Sequence, residues 1–333
     1  MSKVFEYFKQ VGGAFGPSGR EDDVREVIGA MAGDLCDDIQ TDALGNLICR
    51  KKGTAEDKKK IMFAAHMDSI GVVATFIDEK GFIRFSQVGG LSWSDLINIQ
   101  IRFANGTRGV ISVEEKTPWR EMTQGNLFID IGVKDKEDAE RMVRVGDFAI
   151  FEAQPFTQNG VLCGPYLDNR IGCVTLLLAM EQLPETVPSD VYFVFTAQEE
   201  VGLRGAGPAA YAIQPDLAIA VDVTDTGDLP EQKYPMACEM GKGPAVKIMD
   251  SSVICSPEVV KLLDDTAKAL DIPTQHEILK FGGTDTAMLQ KTRMGALAGA
   301  VSIPTRYIHS PSEMCSEADV ENAAKLLAAV ASK

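Results

Sequence analysis

Three apolar runs, at residues 61–65, 191–195 and 217–221, each end within a few residues of a histidine or a carboxylate. Short runs without polar alternation mark strands buried on both faces, as in a parallel sheet covered by helices. The first leads into His66-Met67-Asp68, the second into Glu199-Glu200, and the third into Asp222. In an open α/β sheet, the crevice beyond the carboxyl ends of the strands is where residues distant in sequence converge. The pattern predicts an α/β fold with a mostly parallel central sheet and a site gathered along one end of it.

Between the first and second runs the chain changes character. Short alternating segments at 72–77, 82–88, 97–103, 110–113, 127–133 and 148–153 are parted by Asp78-Glu79-Lys80-Gly81, Asn105-Gly106 and Val145-Gly146-Asp147. Regularly spaced short strands read as a small barrel or sandwich, here interrupted by one helical piece at 135–144. The expected division is a catalytic domain of residues 1–70 and 164–333, interrupted by a β-rich domain at 71–163 for shape, access or oligomer contacts. A chain of 333 residues is long enough for both. Amphipathic spacing predicts helices around Val4, Phe5 and Phe8, and over 20–31 with Val24, Val27, Ile28 and Met31 on one face. Further helices are expected at 171–183, 256–270 and 317–332. Gly16-Pro17-Ser18-Gly19 reads as punctuation between helices, and His276 as a surface or strand residue.

Composition closes off several functions. With 33 basic against 48 acidic residues the net charge is −15, which disfavours a nucleic-acid surface built on clustered Lys and Arg. No apolar run approaches the length that crosses a bilayer, and residues 1–10 hold no secretory apolar core. Seven scattered cysteines without a Cys-x-x-Cys pair make neither a disulfide framework nor a zinc ribbon, so a reducing cytoplasm is expected.

The candidate site residues are His66, Asp168, Glu200, Asp222 and His309, with Asp68 and Glu199 beside them. Alone, Asp168 reads as the N-cap of the helix that follows, and Glu199-Glu200 as a solvated face. The pair, however, follows a strand-like run and precedes Gly202 and Gly205, which sets it at a strand-to-loop junction. Two histidines and three carboxylates without thiolate suit Zn²⁺, Co²⁺ or Mn²⁺. Five ligands are too many for one tetrahedral catalytic zinc with an open position, but they suit two ions if one carboxylate bridges. Such a pair generates a hydroxide nucleophile at neutral pH. Glu199 is then free to act as general base, and Asp68 to orient the imidazole of His66.

The motifs together resemble the glutamyl-aminopeptidase and deblocking-aminopeptidase family, tetrahedral aminopeptidases with two cocatalytic metals. The resemblance covers nearly the whole chain. It rests on Ala65-His66-Met67-Asp68, Leu167-Asp168-Asn169-Arg170-Ile171-Gly172, Gln198-Glu199-Glu200-Val201-Gly202, Asp222-Val223-Thr224, Gly282-Gly283-Thr284-Asp285 and Ile303-Pro304-Thr305-Arg306-Tyr307-Ile308-His309-Ser310-Pro311. It implies that Asp168 bridges two divalent ions, that His66 and Asp222 hold one, and that Glu200 and His309 hold the other. It also implies Glu199 as the general base and Asp68 as the partner of His66. The implied architecture is a zinc-peptidase-like α/β domain interrupted by a β-rich one. The implied activity is removal of N-terminal residues from short peptides, in dimers assembled into hollow dodecamers. Ser69, and residues 286–290 after Asp285, depart from the family pattern without removing a ligand. The rival readings are a carboxypeptidase or N-acyl-amino-acid deacylase on the same scaffold, a glucanase, and an inactive scaffold.

Overall fold

The computed structural model describes residues 2–231 and 234–333. The chain opens with helix α1 (Lys3–Val11), where the Ser2 side chain accepts from the Phe5 N–H and Val4, Phe5, Phe8 and Val11 form the buried face. Helix α2 (Asp22–Ala32) follows and buries Val24, Ile28 and Ala32. Strands β1 (Asp38–Thr41), β2 (Leu47–Lys51) and β3 (Lys60–His66) begin the main sheet. The chain then builds β4 (Gly71–Ile77), β5 (Ile83–Val88), β6 (Gln100–Phe103), β7 (Arg108–Val113), β8 (Leu127–Asp130), helix α3 (Lys136–Met142) and β9 (Phe148–Phe151). These six strands close on themselves in the order β4-β5-β8-β7-β6-β9, an antiparallel barrel. Its interior is filled by alternate residues such as Val72, Phe85, Ile101, Ile111 and Ile129.

Strands β10 (Phe156–Gln158) and β11 (Val161–Gly164) bring the chain back. They pair with the main sheet rather than the barrel, so the return begins ahead of position 164. Their short alternating pattern around the Asn159-Gly160 turn is indistinguishable, as sequence, from another barrel hairpin. After α4 (Leu167–Glu181) come β12 (Asp190–Thr196), α5 (Ala206–Ile213) and β13 (Leu217–Thr224). The remainder is β14 (Ala245–Met249), α6 (Pro257–Ala269), β15 (Gln275–Ile278), α7 (Thr286–Gln290), β16 (Leu297–Arg306), β17 (Glu313–Ser316) and α8 (Glu317–Ala331).

Four strands form the parallel heart of the sheet, in the order β12-β3-β13-β16. Antiparallel strands flank them on both sides. The two faces of the sheet follow from the period of two. Phe63, Ala65, Phe193, Phe195, Ile219 and Val221 pack with α1, α2, α4, α6 and α8. Met62, Ala64, Val194, Ala218 and Ala220 face α5 and α7. His66, Thr196 and Asp222 continue the second set by parity, so residues at or near the ends of three strands emerge on one face. Thr196 pairs directly with His66 in the β12–β3 register, and both apolar runs therefore finish level with each other.

Candidate metal centre

His66 is 2% exposed at the end of β3. Its Nδ1 lies 3.2 Å from the Asp68 carbonyl oxygen, and a carbonyl only accepts, so Nδ1 carries the proton. Nε2 faces Asp168 Oδ1 at 3.1 Å, with Asp222 Oδ1 at 3.7 Å and Glu199 Oε2 at 3.8 Å. His309, which follows β16, places Nε2 3.2 Å from Asp168 Oδ2 and 3.2 Å from Glu200 Oε2. Asp168 therefore stands between the histidines, one oxygen toward each. It does not cap its helix: α4 starts from Tyr166, and Asp168 has non-helical dihedrals within the first turn. Asn169 anchors that turn by donating to the Val221 carbonyl of β13 at 2.7 Å.

The carboxylates are crowded in a desolvated space. Burial first, then the neighbouring Asp222, Asp285 and Glu200, pushes the Glu199 carboxyl well up despite His66. Burial likewise raises Asp222, reinforced by Asp168, and raises Glu200. Burial opposes charge on His66, yet Glu199, Asp168, Asp68 and Asp222 outweigh it and hold the imidazole well above its usual range. His309 is driven up in the same way to about 12, by Glu200 and Asp168. Asp168 alone moves down, because the two histidines outweigh its burial. Every shift answers one deficit, which is positive charge.

Cations would meet that deficit. Two sets have ligand atoms within 4.8 Å of one another: His66, Glu199 and Asp222, and His66, Asp168 and Glu200. Glu200 Oε1 is buried without a hydrogen-bond partner, a costly state unless a cation faces it. Nitrogen and carboxylate donors without thiolate fit divalent zinc, cobalt or manganese.

A surrounding layer holds these residues, and several of its members give little signal in sequence. Asp68 is fully buried, and its carboxylate stands 3.5 Å from His66 Nδ1. That carboxylate accepts the Ser18 hydroxyl at 2.6 Å and the N–H groups of Glu199 and Glu200 at 2.9 and 3.2 Å. The Gly16–Gly19 turn is therefore more than punctuation. Ser18 supports Asp68, and Ser69 clasps the turn through backbone bonds with Gly16 and Ser18 of 3.1 Å each. Glu313, 1% exposed, accepts the Asp168 N–H and the His309 N–H, both at 2.8 Å. Asp285 is buried, accepts the Thr196 hydroxyl at 2.5 Å, and leaves Oδ1 unpartnered. Burial lifts its carboxyl to about 6. The barrel also reaches in: a Cβ at Gly90 would lie 3.1 Å from His309 Nδ1, and one at Gly89, where φ is +78°, 3.2 Å from Glu200 Oε2. His276 lies elsewhere, exposed on β15 with Nε2 3.1 Å from the Asp264 carboxylate.

The profile of the M42 glutamyl aminopeptidases matches residues 45–326. The chain belongs to this family. A protein of Acetivibrio thermocellus, provisionally named an aminopeptidase, is 48% identical over 325 residues, 97% of each chain. The structure is similar to aminopeptidase APDkam598 from the archaeon Desulfurococcus kamchatkensis, with a TM-score of 0.95 and 36% identity over 99% of this chain and 94% of that one. It is also similar to the TET1 peptidase of Pyrococcus horikoshii, described as assembling into a tetrahedron or a large octahedral shell. There the TM-score is 0.88 and the identity 32%, over 99% of each chain. The chain is thus a peptidase hydrolase of the aminopeptidase type, with the mixed α/β and barrel architecture of those structures. Among the described residues no helix is long and apolar enough to cross a membrane.

Proposed function

We propose that the centre holds two divalent ions, zinc, cobalt or manganese, and removes N-terminal residues from short peptides in the cytoplasm. His66 and Asp222 would hold one ion, Glu200 and His309 the other, and Asp168 would bridge them. The observation that carries this reading is the placement of Asp168, with one oxygen 3.1 Å from His66 Nε2 and the other 3.2 Å from His309 Nε2. Two imidazole Nε2 atoms set against the two oxygens of one carboxylate leave a place for a cation on each side once the imidazoles give up a proton.

When bound, the two ions supply a water that ionises at neutral pH and stabilise charge on the attacked carbonyl oxygen. The protein supplies the proton traffic. Glu199 is close enough to His66 and Asp222 to serve as a ligand as well. We assign it the base role because the five other donors already fill two sites with one bridge. Its desolvated carboxylate takes the proton from the attacking water and returns it to the leaving amine. Asp68 holds the Glu199 and Glu200 backbone, so base and ligand keep fixed relative positions.

Turnover should vanish with a chelator, return with added Co²⁺ or Zn²⁺, and require a free α-amino group. Steady cleavage of N-acetylated peptides would instead favour the deacylase reading, and cleavage of N-blocked peptides from the carboxyl end the carboxypeptidase. Chelator-resistant activity on glucans would favour the glycosidase, which uses two carboxylates without metal.

We further propose a homo-oligomer of dimers joined into a dodecamer, with the barrel portion of residues 71–163 governing access or subunit contacts. The likeness to a TET1 peptidase over 99% of both chains supports it. Twelve chains of 36.0 kDa give about 430 kDa by light scattering; a monomer or simple dimer would refute the assembly.

A further inference from the structure

The metal centre opens into a cavity of about 420 Å³, and a second cavity of about 330 Å³ adjoins it. Asp225, Leu279 and Phe281 line both and form the neck between them. Asp225 lies three residues beyond Asp222, about 10 Å along an extended chain. That is the reach a long side chain needs when its own backbone sits at the metal centre.

The charges around the second cavity are unequal in availability. Arg306, its most enclosed cation, is already spent. Its Nε and Nη2 bind the Asp228 carboxylate at 3.1 and 2.6 Å. Lys280, Glu231 and Asp225 are all exposed; the first two are of opposite sign, and Asp225 alone of the three also lines the metal-centre cavity. Asp225 makes no hydrogen bond or ion pair among the described residues. The cationic group that acts on it is His309, which Asp168 and Glu200 already engage. Much of the remaining wall is apolar, with Leu279, Met236, and Phe281 packed on Tyr234 at 5.0 Å between ring centroids, while Thr226, Thr305 and Tyr307 add hydroxyls.

A largely apolar channel with a carboxylate at its neck matches an aliphatic stem that ends in a cation. We propose that Asp225 is a specificity-determining residue that selects a lysine or arginine side chain on the first residue of the peptide. The inference rests on the aminopeptidase reading of the same site. It runs against the acidic first residue in the family's name, because the one enclosed arginine here is neutralised by Asp228.

The test compares kcat/KM for the 4-nitroanilides of Lys, Arg, Leu and Glu, using the full-length, metal-reconstituted protein. The wild type should prefer Lys and Arg to Glu by about a hundredfold. Asp225→Asn should lower the Lys-to-Leu ratio about ten- to hundredfold, the range expected for one lost hydrogen bond to a charged group. Asp225→Lys should raise Glu above Lys. Ratios taken on one preparation do not depend on how much of it is active. Wild-type preference for Glu or Leu, or an unchanged Lys-to-Leu ratio in Asp225→Asn, would overturn the proposal. If only N-acetylated substrates are cleaved, the aminopeptidase reading falls and the proposal with it.

Discussion

Glu313 occupies a position from which two proposed ligands are fixed at once. Each of its oxygens accepts one backbone N–H, from Asp168 and from His309. A glutamine there keeps one acceptor but turns an NH₂ toward the second N–H, leaving a buried donor unpaired. Glu313→Gln should weaken metal binding or turnover about ten- to hundredfold, as loss of a partner behind the ligands typically does. Competition with a chromogenic chelator measures the first and kcat the second, and unchanged values in both would remove Glu313 from the support. It carries no sequence signal, since a lone Glu opening a four-residue strand follows no pattern. His66, the Glu199-Glu200 pair and Asp222 are proposed for the opposite reason: each stands within a few residues of where an apolar run stops.

At the scale of elements, the loop that follows β12 decides where Glu199 and Glu200 stand. Asn46, fully buried beside β2, accepts from the Ala197 N–H at 2.9 Å and donates to the Gly205 carbonyl at 2.9 Å. The loop is thereby closed at both ends by one side chain. A Cβ on Gly205 would lie 2.2 Å from Asn46 Oδ1 and 2.5 Å from the Ala197 carbonyl oxygen. Gly205→Ala should cost about 1–3 kcal/mol, as overpacking does. Displacing the base by about an ångström should also lower kcat about a hundredfold. Denaturant unfolding and steady-state kinetics check both; wild-type kinetics would show that the loop is held by other means. The strands and amphipathic helices here were readable because periodicity reports burial. The Gly16–Gly19 turn was not, because its value lies in Ser18 meeting Asp68 across 50 residues. Nor does the short hairpin of β10 and β11 reveal in its period that it joins the main sheet.

On the scale of the molecule, a parallel sheet delivers His66, Asp222 and the Glu199-Glu200 loop to one end. The barrel's Gly89-Gly90 loop approaches the same end from above. The site is therefore made by both parts of the chain, and the glycines leave room for His309 and Glu200. No sequence period encodes this contact. The resulting cluster has more negative charge than its two histidines can balance. The central claim is that two cations supply the balance while Glu199 remains free for proton transfer. The most direct test is anomalous diffraction at the zinc edge from crystals of the zinc-loaded Glu199→Gln protein. Two peaks about 3.5–4 Å apart are expected, one against His66 and Asp222, the other against Glu200 and His309, both touching Asp168. A single peak, or a zinc position lost through the substitution at 199, would contradict it.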